Sequence, residues 1–231
     1  RRQSARWNAV YRPSRGIVGL GGEFRDYLLR QTNGDPYFDE AEIVESLGFV
    51  RFGGVLLPGV QLFLDVGANL TDIRPDGDDN FDIYETGYFL GAGISVGHPL
   101  SRWLHLEFDG YYRLSASSSR DTSNALVAQN SGNRVFLRNY HLRGEGRIYA
   151  ELVRDPEGLS VGLTAGIGGH FLFGIANSNT RISYTQSDLQ WGYLTAGVVW
   201  TLESGAGLTA SVRYGQRDLL HVVGTLDLYF G

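Results

Sequence analysis

The chain has 231 residues, of which 42% are hydrophobic and 13% aromatic, and it carries a formal net charge of −5. The absence of cysteine excludes disulfides and thiolate metal sites, and the negative charge argues against nucleic acid as a partner. No apolar run is long enough for a transmembrane helix. The 32 glycines and the many aromatic residues are typical of strands and tight turns.

The first 15 residues form a basic segment with five arginines and no acidic residue. We expect an exposed, periplasmic leader or the stump of a preceding domain here. Its Trp7 and Tyr11 are candidates for a position at a membrane interface, where amphipathic rings accumulate. The main domain, residues 16–231, is expected to start where alternating segments begin.

Segments in which polar and apolar residues alternate follow along the rest of the chain. Alternation predicts strands, because successive side chains point to opposite faces. In 103–115, for example, Leu106 and Phe108 oppose Glu107 and Asp109. Ten strands are predicted in this way: 16–30, 42–57, 60–71, 84–97, 103–115, 134–153, 159–173, 188–202, 208–217 and 220–230.

The connections between these strands alternate in length. Short turns are predicted at 57–59, 98–102, 154–158 and 203–207, and longer polar loops at 31–41, 72–82, 117–133 and 175–187. Short turns at one end and long loops at the other are the bacterial outer-membrane arrangement. We therefore predict an all-β, antiparallel, up-and-down transmembrane barrel of ten strands, with eight or twelve as alternatives. An even count places both termini on the periplasmic side.

The last strand carries a family resemblance. In residues 220–230, Phe230 is preceded by apolar residues at alternate positions, including Leu228 and Leu226. This pattern resembles the C-terminal strand of the bacterial outer-membrane β-barrel superfamily, although Gly231 follows the phenylalanine. The resemblance implies an outer-membrane location and an insertion signal at these three residues. It also implies the barrel-insertion machinery as a partner.

The charged face of each strand must line the interior of such a barrel, because lipid surrounds the outside. The acids and bases assigned to the interior nearly balance. The densest set lies on two neighbouring strands and is predicted to form a lumen charge cluster: Glu107, Asp109, Arg113, Arg143, Glu145 and Arg147. Ten strands are close to the number that side chains fill, so a plugged lumen is favoured over a narrow solute path.

Catalytic motifs of outer-membrane hydrolases are absent from the sequence. No histidine follows Asp in the Asp-x-His order of omptin-type proteases, and none shows the His-x-Ser order of outer-membrane lipid esterases. His105 near Glu107 is interpreted as a hydrogen-bonding residue of the lumen. We assign no catalytic residue, although a base and a nucleophile could still assemble from distant strands.

Two surface sites are predicted at the long loops. Asp76, Asp78 and Asp82 loosely resemble a calcium loop but lack its terminal Glu, so a solvated acidic loop is the main alternative to bound Ca²⁺. No other cofactor is expected. Arg134 and Arg138 are predicted to contact lipopolysaccharide phosphates, with ordinary solvation at the rim as the alternative.

Taken together, these patterns predict an integral outer-membrane barrel with a charge-paired, largely plugged lumen. Its expected role is non-catalytic: a structural, anchoring or assembly component whose partners are outer-membrane lipid, lipopolysaccharide and other envelope proteins. A narrow solute channel, the barrel end of an envelope export system and an outer-membrane hydrolase remain as alternatives.

Overall fold

The computed structural model describes residues 5–13, 15–30, 40–75, 83–120, 134–155, 158–178, 183–216 and 220–231. In these residues a short helix precedes the strands. The elements are α1 Ala5–Val10, β1 Gly16–Arg30, β2 Glu40–Leu57, β3 Val60–Pro75, β4 Ile83–Pro99, β5 Leu104–Arg120, β6 Arg134–Arg154, β7 Leu159–Ser178, β8 Ser183–Leu202, β9 Ala206–Gly215 and β10 Leu220–Phe230. Within these ranges no helix has the length and apolarity needed to cross a membrane.

The strands close into one antiparallel barrel. Each strand pairs with the next along the chain, and β1 pairs with β10 from Gly16 opposite Phe230 to Asp26 opposite Leu220. The prediction of ten strands in an antiparallel barrel is therefore confirmed. Closure pairs the first strand with the last, so the described strands present no free sheet edge to lipid.

Several strands run further toward the long loops than predicted. β3 continues to Pro75, β7 to Ser178, and β8 already begins at Ser183. The predicted loops at 72–82 and 175–187 are correspondingly too long. Alternation of polar and apolar side chains reveals only the part of a strand that faces lipid. Beyond that part the side chains are polar on both faces, but the backbone hydrogen bonds between strands continue.

The short turns lie where the sequence places them. They are at the same end of the barrel as the start of β1 and the end of β10. Pro58 and Gly59 connect β2 to β3, and Gly59 has φ of 82°. Proline before a glycine with positive φ is the type II pattern. Gly205, in the turn after β8, has φ of 109°. A side chain at either position would be strained.

The two faces of the barrel have opposite character. On the outside, Ile167 and Leu194 are 67% and 65% exposed, whereas Glu45 and Arg113 inside are 0% exposed. A soluble barrel would have the reverse distribution, because a continuous apolar belt facing water is unfavourable. The face assignments made from the sequence hold for the strand residues whose side chains the structure describes.

Inside the barrel, aromatic rings lie against glycines of adjacent strands. A Cβ atom at Gly91 would overlap Tyr111, and one at Gly162 would overlap Tyr149. The same arrangement joins Gly21 with Phe49, Gly67 with Phe89, Gly93 with Phe63 and Gly168 with Tyr193. These pairs fill the lumen without widening the distance between strands. They resemble the aromatic rescue of glycines in other sheets, in which a ring covers a glycine of the neighbouring strand.

Residues 6–11 are not an exposed leader, although Arg12 and Pro13 after them are exposed. α1 lies across the mouth at the short-turn end, and Arg6 and Tyr11 are 8% and 0% exposed. The amide of Gly59 donates to the Tyr11 carbonyl at 3.4 Å, and Gln61 Nε2 donates to the Val10 carbonyl at 2.6 Å.

The interpretation of Trp7 and Tyr11 as membrane-interface residues is wrong. Tyr11 is buried, and the Trp7 ring stacks on the lumenal His105 with centroids 6.2 Å apart. The physical reason lies on β5: Glu107 is a buried carboxylate, and Arg6 of α1 and Tyr11 directly after it donate hydrogen bonds to it. Satisfying that charge outweighs the interfacial preference of the rings.

Candidate functional site

The buried charged side chains of this molecule lie in the lumen. At the mouth of the lumen they surround Glu107. Arg6 forms a two-point contact with this carboxylate, Nε to Oε1 at 2.5 Å and Nη2 to Oε2 at 3.1 Å. Tyr11 Oη donates to Oε1 at 3.1 Å. A bidentate Arg–carboxylate pair is a strong and geometrically specific contact. Burial also raises the pKa of Tyr11 well above 10, so its hydroxyl stays a donor.

Arg147 extends this group along β6. The register of β5 and β6 places Glu107 directly opposite Arg147, and Arg147 Nη2 lies 3.4 Å from Glu107 Oε2. Arg147 also contacts Asp109, and its Nη1 lies 3.3 Å from Glu145 Oε1. We call Arg6, Glu107, Asp109, Glu145 and Arg147 the mouth cluster.

A second group lies deeper and is built from strands alone. Arg25 Nη2 donates to Glu23 Oε2 at 2.6 Å, and Arg113 Nη2 donates to Glu45 Oε2 at 3.1 Å. Weaker contacts of 3.7 Å cross between the two pairs, from Arg25 to Glu45 and from Arg113 to Glu23. Each arginine therefore faces two carboxylates, as buried charges require.

Three histidines complete this second group. His141 lies 3.0 Å from Arg25 Nη1 and 2.9 Å from Arg113 Nη2, and its Nδ1 lies 3.1 Å from His170 Nε2. His221 accepts from Arg25 Nε at 3.3 Å. We call the whole set the mid-barrel network: Glu23, Arg25, Glu45, Arg113, His141, His170 and His221.

Arg213 links the two groups. Its Nε donates to Glu145 Oε2 at 2.6 Å, and its Nη1 lies 3.5 Å from His221 Nδ1. A separate pair lies nearby, in which Arg51 makes a two-point contact with Asp65 at 2.8 and 2.9 Å. The described lumen is therefore crossed by a nearly continuous set of ion pairs and hydrogen bonds.

The predicted lumen charge cluster divides in the structure. Glu107, Asp109, Glu145 and Arg147 lie together in the mouth cluster, as described above. Arg113 instead belongs to the mid-barrel network, because its long side chain reaches across to Glu45 on β2. Arg143 lies over the ring of Tyr111, with its Cζ 5.0 Å from the ring centroid, and opposite His170 in the register of β6 and β7.

Sequence reasoning missed Arg6 and the histidine contacts. Nothing in a six-residue helix shows a reliable period, so Arg6 was placed in a solvated leader. The only available signal was the spacing of Trp7 and Tyr11, four residues apart on one helical face. Alternation places His141, His170 and His221 on the inward faces of their strands, but their partners depend on the register, which alternation does not give.

Other predicted sites fall outside the described residues. Asp76, Asp78 and Asp82 lie in an undescribed segment, so the calcium prediction stays a prediction. In the described part of the chain, no group of His, Asp or Glu is arranged to hold a metal ion. Arg134 and Arg138 belong to β6, but their side chains lie outside what the structure describes.

The three residues of the predicted insertion signal are described. Phe230, Leu228 and Leu226 project outward and are 57%, 52% and 45% exposed.

Comparison with known proteins identifies the class of fold. No family model matches the chain, and no curated protein matches it. Among solved structures, the translocator domain of the autotransporter NalP from Neisseria meningitidis is similar, with a TM-score of 0.53 and 9% identity over 96% of this chain and 90% of that chain.

Two further structures have lower TM-scores. The beta domain of the Bordetella autotransporter Brka has a TM-score of 0.46 and 15% identity over 94% of this chain and 99% of that one. LpxR from Salmonella typhimurium has a TM-score of 0.40 and 9% identity over 94% of this chain and 100% of that chain. The likeness to the NalP translocator domain shows that this chain has the fold of a closed, outer-membrane type of β-barrel. The likeness shows the fold and does not define a subfamily.

Proposed function

We propose that this protein is a non-conducting, non-catalytic barrel that serves as an anchoring or assembly component of the bacterial outer membrane. The observation that supports this is the filled lumen: α1 covers the mouth, and Glu107 holds it by a two-point contact with Arg6. Behind it, Arg25 and Arg113 span the interior through four carboxylate contacts. Both termini are proposed to face the periplasm, with the loops available for recognition.

Conductance in planar lipid bilayers tests this proposal. The whole protein is expected to insert without steady ohmic steps, because side chains occupy the interior. A variant lacking residues 1–10 shows whether α1 or the mid-barrel network blocks the lumen. If the variant still gives no conductance steps, the network on the strands blocks the lumen. If new steps appear, α1 blocks it. Steady steps from the unaltered protein would refute the non-conducting role.

A second candidate role is the barrel end of an envelope export system. The observation that favours it is the position of α1, since chain preceding β1 enters the barrel mouth and reaches Glu107. A short epitope placed before residue 1 provides the test. Antibody access to the epitope on intact cells would support export, and access only after the outer membrane is opened would argue against it.

Lipid contacts form the third element of the proposal. Arg134 and Arg138 are proposed to contact lipopolysaccharide phosphates as guanidinium forks. Arg138→Ala should reduce the lipopolysaccharide that co-purifies with the barrel, and unchanged co-purification would remove this assignment. Phe230, Leu228 and Leu226 are proposed as the insertion signal, so Phe230→Ser should reduce the amount of barrel inserted by the cell.

The hydrolase alternative is addressed by direct assay. The proposal expects no release of acyl chains from lipid A or phospholipid and no cleavage of peptides. Turnover that disappears with a single buried histidine replaced, for example His141→Ala, would overturn the non-catalytic assignment.

A further inference from the structure

Two histidines of the mid-barrel network are in direct contact inside the lumen. His141 Nδ1 lies 3.1 Å from His170 Nε2, and the ring centroids are 5.3 Å apart. Both side chains are buried, with 1% of His141 and 5% of His170 exposed. Only one proton fits between two ring nitrogens at this distance, because one nitrogen must accept the hydrogen bond that the other donates. The contact therefore excludes a state in which both rings are fully protonated.

Arginines face the same pair from other strands. His141 Nε2 lies 2.9 Å from Arg113 Nη2, and His141 Nδ1 lies 3.0 Å from Arg25 Nη1. In the register of β6 and β7, Arg143 lies opposite His170. A guanidinium group only donates hydrogen bonds, so His141 must keep a lone pair to be in contact with it. An imidazolium ring has no lone pair and would turn N–H groups toward cations.

The carboxylates near the pair already have cationic partners. Glu23 accepts from Arg25 at 2.6 Å, and Glu45 accepts from Arg113 at 3.1 Å. Glu23 is also shared with His221, whose Nε2 lies 3.3 Å away. The charged and titratable groups around the two rings are thus Glu23, Arg25, Glu45, Arg113, Arg143 and His221. A proton added to the pair finds no uncommitted carboxylate among these groups.

We infer that the His141–His170 pair makes the mid-barrel network an acid-sensitive lock of the closed barrel. While both rings are neutral, they connect β6 and β7 with Arg25 of β1 and Arg113 of β5. A ring that takes up a proton becomes a buried cation beside a guanidinium group, so the contact breaks. This property goes beyond the proposed role, which conductance at neutral pH tests by itself.

The lock has a pH dependence with a defined sign. Histidines of the unfolded chain bind a proton below about pH 6.5, whereas the folded pair does not, so stability falls as the pH falls. Each histidine that stays neutral in the fold should lower the folding equilibrium constant about tenfold between pH 8 and pH 5.5. The pair should therefore contribute about a hundredfold loss. Urea unfolding of the whole protein in detergent, repeated across this range, measures it.

Matched variants assign the loss to the pair. His141→Gln combined with His170→Gln keeps a donor and an acceptor at both positions but cannot titrate, so about a hundredfold of the pH-dependent loss should disappear. His98→Gln changes an exposed histidine on the outer face of β4 and should leave the loss unchanged. Far-ultraviolet circular dichroism confirms that each variant is folded. If the double variant does not fold, His170→Gln alone should remove about tenfold.

Three results would overturn the lock. The first is an unaltered protein whose folding equilibrium does not change between the two pH values. The second is an equal loss in the unaltered protein and in the glutamine variants of the pair. The third is a change in His98→Gln as large as the change in those variants.

Discussion

The mouth cluster and the mid-barrel network contain the same chemistry but are held in different ways. Every member of the mid-barrel network comes from a strand, so closing the barrel brings Arg25, Arg113 and Glu45 together. The mouth cluster depends on Arg6, which lies on a six-residue helix outside the barrel wall. One group is fixed by the fold, and the other can be released from it.

This difference determines the cost of removing a carboxylate. If Glu45 is lost, Arg113 stays buried because its strand cannot move away. If Glu107 is lost, α1 keeps the contacts of Val10 and Tyr11 but loses those of Arg6, so we expect Arg6 to turn out of the mouth into water. A charge that regains hydration avoids most of the penalty for being left unpaired.

The largest effect is therefore expected at Glu45. Glu45→Gln leaves Arg113 and Arg25 short of one carboxylate and should lower the free energy of unfolding by about 3 kcal/mol. Urea unfolding of the barrel in lipid or detergent measures it. The control is Glu203→Gln, because Arg154 and Glu203 form an ion pair with side chains 31% and 40% exposed. That change should cost less than about 1 kcal/mol. Equal costs would show that burial does not govern these pairs.

A smaller loss is expected at the mouth. Glu107→Gln should lower the free energy of unfolding by about 2 kcal/mol, the contribution of charged hydrogen bonds, and Arg147 keeps Asp109 and Glu145. Trypsin should then cut after Arg6, which is protected at 8% exposure in the intact protein. Mass spectrometry of the fragments reads this out.

The double variant tests whether the cluster stabilises the barrel at all. Glu107→Gln combined with Arg147→Gln should lower the heat-unfolding midpoint in detergent, because acids on both strands lose their shared cation. An unchanged midpoint, or continued protection of Arg6 in the single variant, would mean that the mouth cluster is not a separable unit.

The smallest effect concerns packing. It provides a reference variant in which no ionised residue is changed. Gly162→Ala places a methyl group on the ring of Tyr149 and should cost about 1 kcal/mol, the lower end of the overpacking range, because the ring can shift within the lumen. Gly144→Ala is the matched control, since a Cβ there meets no atom within 4 Å. Unfolding of the two variants in parallel gives the comparison, and similar stability for both would show that the ring yields freely.

The strands were predictable because lipid outside a barrel enforces a period of two on every spanning segment. Face assignments at Glu107, Arg147 and His141 follow from that period alone. The partners do not: Glu45 and Arg113 lie 68 residues apart in sequence and meet across the lumen. Arg6 was misplaced for another reason, because a six-residue helix has no reliable periodic signal and is stabilised by its contacts.

Pairing of β1 with β10 has a consequence for the order of assembly. Every other strand pair forms a local hairpin, whereas this one joins Gly16 to Phe230 across nearly the whole chain. Loop-closure entropy makes such a contact slow, so hairpins should accumulate first and the seam should seal last. α1 contacts β7, β8 and β9, and Tyr11 directly after it contacts the turn before β3, so the binding site of this segment is complete only afterwards. Burial of Arg6 is then a marker for the final step of folding.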